Sequence, residues 1–529
     1  MGTLARPQDN VLGSTDDVPA AMSVSSSVLE PIVITDTQAR FVLENKGILS
    51  RDSVLQFQLT AEDALKGFLP TSAGIFGLIK QATLRIGARR ISDVKDYGMY
   101  KTMAHAYDSP SFRNNKTRIL KGINTAYVPT PVASNAVSAG QFIPAGSQVA
   151  GEGDVFQDYQ GILTNSMDTT PCWSIKLAEL FPILYDIEIP LFLLQEEVAI
   201  DLTFNTQAAT DKMVGGVGSL CCFEKVAGSA GPPVVTGEKL GACKLVKESC
   251  LLYLDCIYYE NERMEREAER VNASQGMFLD YSDLIQNVSN LPFNSAVQAL
   301  STDLFSSSKI DQIPVSGFQV KNLMWGYNVA DWTTYHAGVA VPPTTNKFYN
   351  EWYGKYALVA FRKDDTFQMR VNDLLQFPEP VTSSTHKAAE AESTFGAPVW
   401  LNQGVWSYNP VVTKSGLYPV DVKASLFPPA YGGGVGEMKV WGSHMDMQKY
   451  VQGQQSFNSI NLSNSWGDSN NDAILINQKP IEVLHTGLSV SPTDNYNRTT
   501  YYFANVVKRF GIQGGKAVVF QGPAVATPV

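Results

Sequence analysis

The sequence predicts an all-β protein built from two consecutive antiparallel sandwiches, and three observations support this fold class. Only 17% of the residues are charged, while the chain carries 41 Gly and 28 Pro. Such a composition is typical of many short strands joined by turns. Several segments alternate apolar and polar residues, as half-buried strands do. The chain has 529 residues, and because β sandwiches of about 200 to 250 residues commonly form one domain, two cores fit.

The clearest predicted strand is the segment 198–204. Its apolar side chains point to one face and the others to the opposite face: Val198, Ile200, Leu202 and Phe204 against Ala199, Asp201 and Thr203. Segments 55–60 and 82–86 alternate in the same way, and the apolar run 251–259 reads as a closing strand. A period of two buries one face of a sheet and wets the other. These segments predict the core strands of a first sandwich.

The first module also contains segments without strand character. Helical spacing of apolar residues predicts a short helix over about 93–106, with Ser92 as its N-cap. Segments 108–171 and 207–241 are rich in Gly, Ser and Pro and are expected to be long functional loops.

The chain divides into four predicted regions. Residues 1–30 are rich in Ser, Asp and Ala without periodicity, so we expect a flexible N-terminal arm. Residues 31–260 form the first sandwich, and 273–529 form the second. Between them, 261–272 is a charged connector in which Glu and Arg recur four apart, as on a solvated helix.

The second module has fewer clear strands. Six candidates share apolar alternation or β-branched character: 318–327, 367–371, 420–426, 481–484, 499–507 and 517–520. Gly514-Gly515 lies between the last two and predicts a hairpin turn. The strand density suits a second eight-stranded sandwich.

Three stretches stand out when they are taken in order along the chain. They are Gly47-Ile-Leu-Ser-Arg-Asp-Ser-Val-Leu-Gln-Phe-Gln-Leu59, Ile189-Pro-Leu-Phe-Leu-Leu-Gln-Glu-Glu-Val-Ala-Ile-Asp-Leu-Thr-Phe204 and Arg509-Phe-Gly-Ile-Gln-Gly-Gly-Lys-Ala-Val-Val-Phe520. In this order and spacing the chain resembles the double jelly-roll major capsid proteins of large DNA viruses, most closely those of virophages and polinton-like viruses. The resemblance covers about residues 35 to 260 and about 480 to the end.

The resemblance implies a fold, a function and partners. The fold would be two consecutive eight-stranded antiparallel jelly-roll sandwiches with short helices in loops. Three copies would form a pseudo-hexagonal homotrimeric capsomer that tiles an icosahedral shell, after assembly inside the host cell. Partners would be the protein itself, neighbouring capsomers, and penton and minor capsid proteins. A minor capsid or spike protein is an alternative.

The charge and hydropathy of the chain limit which further partners are expected. The net charge is -10, and Lys and Arg are scattered without a basic tail, so direct nucleic-acid binding is not expected. The longest apolar candidate for a transmembrane segment, 180–194, is interrupted by Pro182, Asp186, Glu188 and Pro190. The first residues lack the apolar run of a signal peptide. We therefore expect a soluble product made inside the cell.

No residue is assigned to catalysis or to a cofactor, because each motif that suggests one is incomplete. Ser229 sits in a nucleophile-elbow look-alike, but Pro232-Pro233 excludes the helix that must follow it. Gly511–Lys516 is one residue short of a phosphate loop, with Ala517 in place of Ser or Thr. The glycine-rich stretch 432–436 precedes a strand-like segment, so it does not predict a dinucleotide site.

Metal sites are likewise not predicted. The segment 468–472 copies the start of a calcium loop, but Ala473 and Lys479 replace its turn Gly and bidentate Glu. The six cysteines form no C-x-x-C pair, so reduced thiols are expected: Cys172, Cys221, Cys222, Cys243, Cys250 and Cys256.

The main competing hypothesis is a β-sandwich carbohydrate-binding protein or glycosidase. Asp280 with Asp283, or Asp364 with Asp365, could pair as acid and base. Exposed tryptophans could bind sugar, although Trp is also favoured in cores and subunit contacts. Turn carboxylates and core packing are the commoner roles of these residues, so we predict that the protein is not an enzyme.

Overall fold

A computed structural model describes residues 22–61, 66–68, 74–105, 162–163, 172–204, 221–223, 240–273, 276–291, 309–329, 366–382, 386–387, 390, 394, 457–463, 473–486 and 498–520. Within these ranges the chain forms four sheets of nine, five, six and four strands, and every pairing between strands is antiparallel. Helices are short and lie between strands, apart from one longer helix between the two halves. The chain is therefore all-β, as predicted.

The first half contains strands β1 to β14. Their bounds are β1 Met22–Leu29, β2 Val33–Ile34, β3 Gln38–Leu43, β4 Ile48–Leu49, β5 Val54–Ala61, β6 Lys66–Phe68, β7 Ile79–Ile86, β8 Arg89–Lys95, β9 Ile162–Leu163, β10 Cys172–Lys176, β11 Ile189–Pro190, β12 Val198–Phe204, β13 Cys221–Phe223 and β14 Leu240–Tyr259. The helices are α1 Tyr97–His105, α2 Leu177–Leu180, α3 Ile183–Asp186 and α4 Asn261–Ala273, with 3-10 turns at Gly74–Leu78 and Leu191–Leu193.

The second half contains strands β15 to β24. Their bounds are β15 Met277–Leu291, β16 Lys309–Ile313, β17 Gln319–Val329, β18 Thr366–Val371, β19 Leu374–Leu375, β20 Phe457–Asn461, β21 Ile474–Leu475, β22 Ile481–Thr486, β23 Arg498–Gln513 and β24 Lys516–Phe520.

Eight strands in each half build a sandwich, and the two sandwiches share one topology. In the first, the facing sheets run β1-β14-β5-β10 and β3-β12-β7-β8; in the second, they run β15-β23-β17-β20 and β16-β22-β18-β19. If the eight strands of each sandwich are numbered by position in the chain, both have sheets of order 1-8-3-6 and 2-7-4-5. This is the arrangement of a jelly roll. The predicted pair of eight-stranded jelly rolls is confirmed.

The core of the first sandwich follows the predicted alternation. Along β12 the residues Val198, Ile200, Leu202 and Phe204 are buried, while Asp201 and Thr203 are half-buried. The prediction is wrong for Ala199, which was placed on the wetted face but is only 1% exposed. Because β12 is flanked on both edges by β3 and β7, its backbone groups are paired inside the sheet.

The core of the second sandwich is centred on an aromatic cluster. Trp325 on β17 is fully buried and meets the ring of Phe367 edge-on at 4.9 Å and that of Tyr502 at 5.9 Å. The predicted hairpin is present, because Gly514 and Gly515, with φ of 55° and 75°, turn β23 into β24. Only Gly adopts such positive φ values freely, which explains the turn.

The prediction of a flexible arm is wrong over residues 22–29. This segment is strand β1, which pairs with β14 in a register that places Val24 opposite Ile257 and Val28 opposite Tyr253. Side chains 23 to 28 are exposed on both faces, so the sequence shows no burial alternation there. This strand forms because its backbone hydrogen-bonds to β14, which is distant in the sequence.

The predicted helix begins later than expected. Strand β8 continues to Lys95, and α1 starts at Tyr97 after Asp96, whose φ is 45°. Ser92 is therefore not an N-cap; it lies within β8, where pairing with β7 outweighs local helix propensity.

The connector and the strands of the second half can be compared with their predicted bounds. Helix α4 occupies the charged connector, with Glu262 in its first turn and Arg270 in its last, which suits the helix dipole. Five strands of the second half were not predicted: β15, β16, β19, β20 and β21. The predicted strand 420–426 and nearly all of the predicted loops 108–171 and 207–241 lie outside the described residues.

Candidate assembly surfaces

The two sandwiches are joined by a continuous apolar interior. One cluster of buried side chains runs through the first sandwich and extends into β15, β23 and β24 of the second. Its members from the second sandwich are Tyr281, Leu284, Phe510, Ile512 and Ala517. Apolar burial is therefore shared across the junction, which we call the seam.

Polar contacts in the seam connect β8 of the first sandwich to β15 of the second. The Tyr281 hydroxyl donates to the backbone carbonyl of Ile91 at 2.7 Å, and the Ser92 hydroxyl donates to Asp283 Oδ1 at 2.7 Å. Lys508 Nζ donates to the second oxygen of Asp283 at 2.5 Å. Because Asp283 is only 1% exposed, this paired carboxylate fixes the two strands in one register.

Tyr281 acts in the seam as a permanent hydrogen-bond donor. Burial, followed by the nearby Asp283 carboxylate, raises the pKa of Tyr281 far above its usual range. The phenol therefore stays protonated.

Further contacts extend the seam beyond β8 and β15. They are Gln286 Nε2 to Asp96 Oδ2 at 2.5 Å, the backbone N–H of Ser282 to Asp186 Oδ2 at 2.6 Å, and the tilted rings of Tyr100 and Phe503, whose centroids are 5.6 Å apart. These contacts involve α1 and α3 of the first sandwich, so the seam is not a flexible linker.

The β23–β24 hairpin also belongs to the seam. The N–H of Gln195 donates to the Gly515 carbonyl at 2.8 Å, and the N–H of Ala517 donates to Glu196 Oε2 at 3.0 Å. A Cβ on Gly515 would lie 2.6 Å from the Gln195 side chain. The predicted turn glycine therefore also allows a close approach between the sandwiches.

The strands that form the seam have equivalents elsewhere in the chain. The seam joins position 5 of the first sandwich, β8, to position 1 of the second, β15. The equivalent strands are β19, at position 5 of the second sandwich, and β1, at position 1 of the first. Both carry exposed apolar side chains: Leu374 69% and Leu375 51% on β19, and Val24 55% and Val28 54% on β1. We call these two strands the open equivalents.

The β18–β19 hairpin presents its leucines on a fixed turn. Asn372 and Asp373 occupy the two turn positions with φ of 49° and 66°. Asn372 donates from Nδ2 to the Leu475 carbonyl at 2.9 Å and accepts at Oδ1 from the N–H of Asn477 at 2.8 Å. Lys479 Nζ contacts Asp373 Oδ2 at 2.7 Å. These bonds tie the tip to the neighbouring segment.

A buried polar network crosses the interior of the second sandwich. Tyr502 donates to Asp311 Oδ2 at 2.6 Å, so its oxygen accepts the hydrogen bond from His485 Nε2 at 2.5 Å. Ser289 donates to Asp311 Oδ1 at 2.5 Å, and Lys309 Nζ lies 3.1 Å from that oxygen. His485 is 1% exposed and Asp311 is 4% exposed. A substrate has no access to groups this deeply buried, so their role is structural.

The pKa values in this network follow from burial and pairing. Burial lowers the pKa of His485 to about 4, so the imidazole is neutral near pH 7. Burial alone would raise the pKa of Asp311, but hydrogen bonds from Ser289 and Tyr502 together with Lys309 outweigh it and lower that pKa. Asp311 is therefore the anion of the network.

The carboxylates considered as an acid–base pair are neutralised separately. Asp280 binds Arg509 through two hydrogen bonds of 2.6 and 3.0 Å, whereas Asp283 binds Lys508 and Ser92 in the seam. These bonds raise the pKa of Arg509. The two carboxylates thus have different cationic partners, while Asp364 and Asp365 lie outside the described residues.

The other candidate motifs resolve in three ways. Gly511–Lys516 is strand and hairpin, not a phosphate loop. Ser229 and the segments 432–436 and 468–472 lie outside the described residues. Trp325 is a core residue; the other second-half tryptophans are outside the described part.

Two of the described cysteines are buried, and their thiols are unreactive. Burial raises the pKa of Cys250 to about 12 and that of Cys256 to about 11, so both are inert thiols. Across the described ranges no three potential ligands among His, Cys, Asp and Glu come together as a metal site. None of the helices described above has the length and apolar character that a membrane crossing requires.

Three solved structures illustrate what the chain is similar to. VP54 of PBCV-1, fitted into a reconstruction of the virophage Sputnik, has a TM-score of 0.52 and 12% identity, over 96% of this chain and 98% of that chain. A quasi-atomic model of the PBCV-1 capsid gives 0.51 and 12%, over 96% and 98%. A structure of the Sputnik virophage gives 0.50 and 10%, over 98% and 92%.

These likenesses establish the fold. No protein-family profile matches the chain, and no curated protein matches it in sequence. The chain has the double jelly-roll fold, with both sandwiches traced in the residues that the structure describes.

Proposed function

We propose that this protein is the major capsid protein of an icosahedral virus and acts by self-assembly. Three copies form a homotrimeric capsomer whose six sandwiches give a nearly hexagonal outline. Such capsomers tile the facets of the shell, and the protein is located in the virion after assembly inside the host cell.

The observation that carries this proposal is the duplication of one topology within a rigid chain. Both sandwiches have sheets of order 1-8-3-6 and 2-7-4-5, and the seam joins them through a shared apolar cluster. A trimer of such chains places six similar units around a threefold axis. A nearly hexagonal unit can pack a plane without gaps, which suits a shell built from one abundant protein.

The duplicated fold also matches the proteins of similar structure. The similar structures are capsid components of PBCV-1 and the Sputnik virophage, and each aligns over more than nine-tenths of both chains. Obligate contacts in such an assembly bury on the order of 2,000 to 5,000 Å². We place the boundary between the sandwiches at the connector 261–272, which α4 occupies.

Partners follow from the same proposal. They are the protein itself, neighbouring capsomers, and penton and minor capsid proteins. The net charge of -10 disfavours direct contact with nucleic acid. We infer that the chain is not an enzyme, because Asp280, Asp283, Asp311 and His485 are held in structural pairs.

Imaging the purified full-length chain tests the function. We expect negative-stain micrographs to show hexagonal particles and native mass spectrometry to give three times the chain mass of 57.8 kDa. In purified virus particles the chain should be the most abundant protein on a gel. A monomer under all assembly conditions, or a minor band in particles, would contradict the proposal.

A further inference from the structure

We propose that the seam within one chain is repeated between chains, so that β19 of one copy docks against β1 of the next copy. The docking side chains are Leu374 and Leu375 on one copy and Val24 and Val28 on the other. This inference rests on the proposed function, because it names the contact through which capsomer subunits join.

The seam itself shows which strand positions meet between two sandwiches. In the seam a position-5 strand meets a position-1 strand, with Ile91 and Ser92 of β8 bonded to Tyr281 and Asp283 of β15. Both sandwiches have the same strand order, so the chain has one further position-5 strand and one further position-1 strand. These are β19 and β1, the open equivalents.

The second step is symmetry. A contact between β19 and β1 uses two different surfaces, one from each sandwich, and is therefore heterologous. Heterologous contacts form closed rings when the rotation between copies closes. If the contact between chains copies the seam inside the chain, each step around the ring advances by one sandwich. With a rotation of about 60° at each step, six sandwiches, and so three chains, close with a single type of contact.

The third step is burial. In the seam, Tyr281, Asp283 and Leu284 of β15 are at most 5% exposed. At the open equivalents, Val24 and Val28 are more than half exposed, as are Leu374 and Leu375. Large apolar side chains exposed on equivalent strands mark an interaction surface.

The fourth step is the form of the β1 surface. Val24 and Val28 point to one face of β1, and Tyr253 of β14, opposite Val28, extends that face and is 38% exposed. Between the valines, on the same face, Ser26 donates to Asp255, so the polar groups there are paired with each other. In the described part of the chain, β1 pairs only with β14. The apolar face therefore lies at a sheet edge, where a neighbouring copy can reach it.

The fifth step is the form of the β19 surface. The turn at Asn372 is held by two hydrogen bonds, so Leu374 and Leu375 are presented with little ordering cost on docking. The nearby cations are already paired, Lys479 with Asp373 and Arg370 with Glu482. Docking of the two leucines therefore desolvates no unpaired charge among these four residues.

Light scattering coupled to size-exclusion chromatography tests this contact on the full chain. We expect the double variant Leu374→Glu/Leu375→Glu to run as a monomer, with wild-type circular dichroism and melting temperature, because both side chains are exposed. Ile310→Glu is the matched control: Ile310 is 59% exposed in the same sandwich but lies on β16, at position 2. It should remain trimeric.

The outcomes separate this inference from the proposed function. A trimeric wild type with a trimeric Leu374→Glu/Leu375→Glu variant would overturn the contact and leave the capsomer proposal standing. Loss of trimers in the Ile310→Glu control would also overturn the assignment to β19. A wild type that never trimerises would overturn both proposals.

Cross-linking checks which strands meet. In a Cys172→Ser background, chains with Val28→Cys and chains with Leu375→Cys are co-assembled and treated with a bismaleimide. We expect covalent dimers from the mixture above the level of the background chain, and covalent trimers when both changes are in one chain. Dimers from Val28→Cys chains alone, with none gained in the mixture, would show a twofold contact and overturn the ring.

Discussion

The position-1 strands β1 and β15 occupy the same place in two sandwiches of one topology, yet their surroundings are opposite. In the middle of β15, Tyr281, Asp283 and Leu284 are buried at the seam, where Asp283 is bonded to Ser92 of the first sandwich and to Lys508 of β23. On β1 the corresponding polar contact is exposed, where Ser26 donates to Asp255 at 2.5 Å. The comparison shows that topology sets where a strand lies, and its neighbours set how much each residue contributes to stability.

The largest effect is expected at the buried carboxylate of the seam. Asp283→Ala leaves the Lys508 ammonium and the Ser92 hydroxyl without their partner in a desolvated site. Loss of one partner of a buried pair costs about 3 to 5 kcal/mol of unfolding free energy. Urea denaturation of the variant and the wild type measures this cost. A loss below about 1 kcal/mol would mean that the seam is less tightly packed than β15 indicates.

Acid is expected to destabilise the second sandwich through His485. The folded pKa of His485 is about 4, below the unfolded value of 6.5, so the unfolded chain binds more protons between these pH values. Stability is complete above pH 6.5 and falls towards pH 4, by about 3 kcal/mol in all. The lowered pKa of Asp311 acts in the same direction: its contribution is present above 3.8 and is lost as the pH falls further.

Melting curves from pH 7.5 to 4.5, with hydrogen exchange at each pH, check this expectation. Protection should decrease first in β16 and β22 of the second sandwich. His485→Gln is the control, because it keeps an N–H donor but cannot titrate in this range. An unchanged pH slope in the Gln variant would assign the acid sensitivity to other groups.

A smaller effect is expected at the turn of the β23–β24 hairpin, where two adjacent glycines serve as a matched pair. Both have positive φ, so an Ala substitution at either costs about 1 to 2 kcal/mol of backbone strain. A Cβ on Gly514 meets nothing within 4 Å, whereas one on Gly515 meets the Gln195 side chain of the other sandwich. Thermal denaturation should therefore show a larger loss for Gly515→Ala than for Gly514→Ala, and equal losses would argue against close packing there.

The smallest effect is expected on β1. In the Leu374→Glu/Leu375→Glu background, which we expect to be monomeric, Ser26→Ala removes a hydrogen bond to Asp255 that is exposed to water, so the unfolding free energy should change by less than about 0.5 kcal/mol. The same denaturation experiment applies as for Asp283→Ala. A loss in this background as large as that of Asp283→Ala would show that the bond contributes more to stability than its exposure indicates.

Much of the fold could be predicted because burial leaves a local pattern. The strand 198–204 alternates in sequence since one face of β12 lies in the core. The turn at Gly514-Gly515 was predictable because positive φ values demand Gly. Strand β1 and the role of Ser92 could not be predicted, since both depend on partners about 190 to 230 residues away, as in the contacts Ser92–Asp283 and Ser26–Asp255.

The candidate surfaces divide in the same way. The sequence supplied no signal for Leu374 and Leu375, because two adjacent leucines near a turn have no period. Their exposure and fixed geometry follow from the hydrogen bonds of Asn372 to a segment about 100 residues further on.

The sequence by itself determined that this protein is all-β, that it is long enough for two cores, and that each candidate catalytic motif in it is incomplete. These properties follow from composition and from local periodicity, which each segment carries alone. Only the tertiary structure decided which strands pair, that both sandwiches share one order, and which of their edges remain open. Strand pairing and side-chain burial depend on contacts between distant parts of the chain. A local pattern does not identify those partners, so only the folded structure shows them.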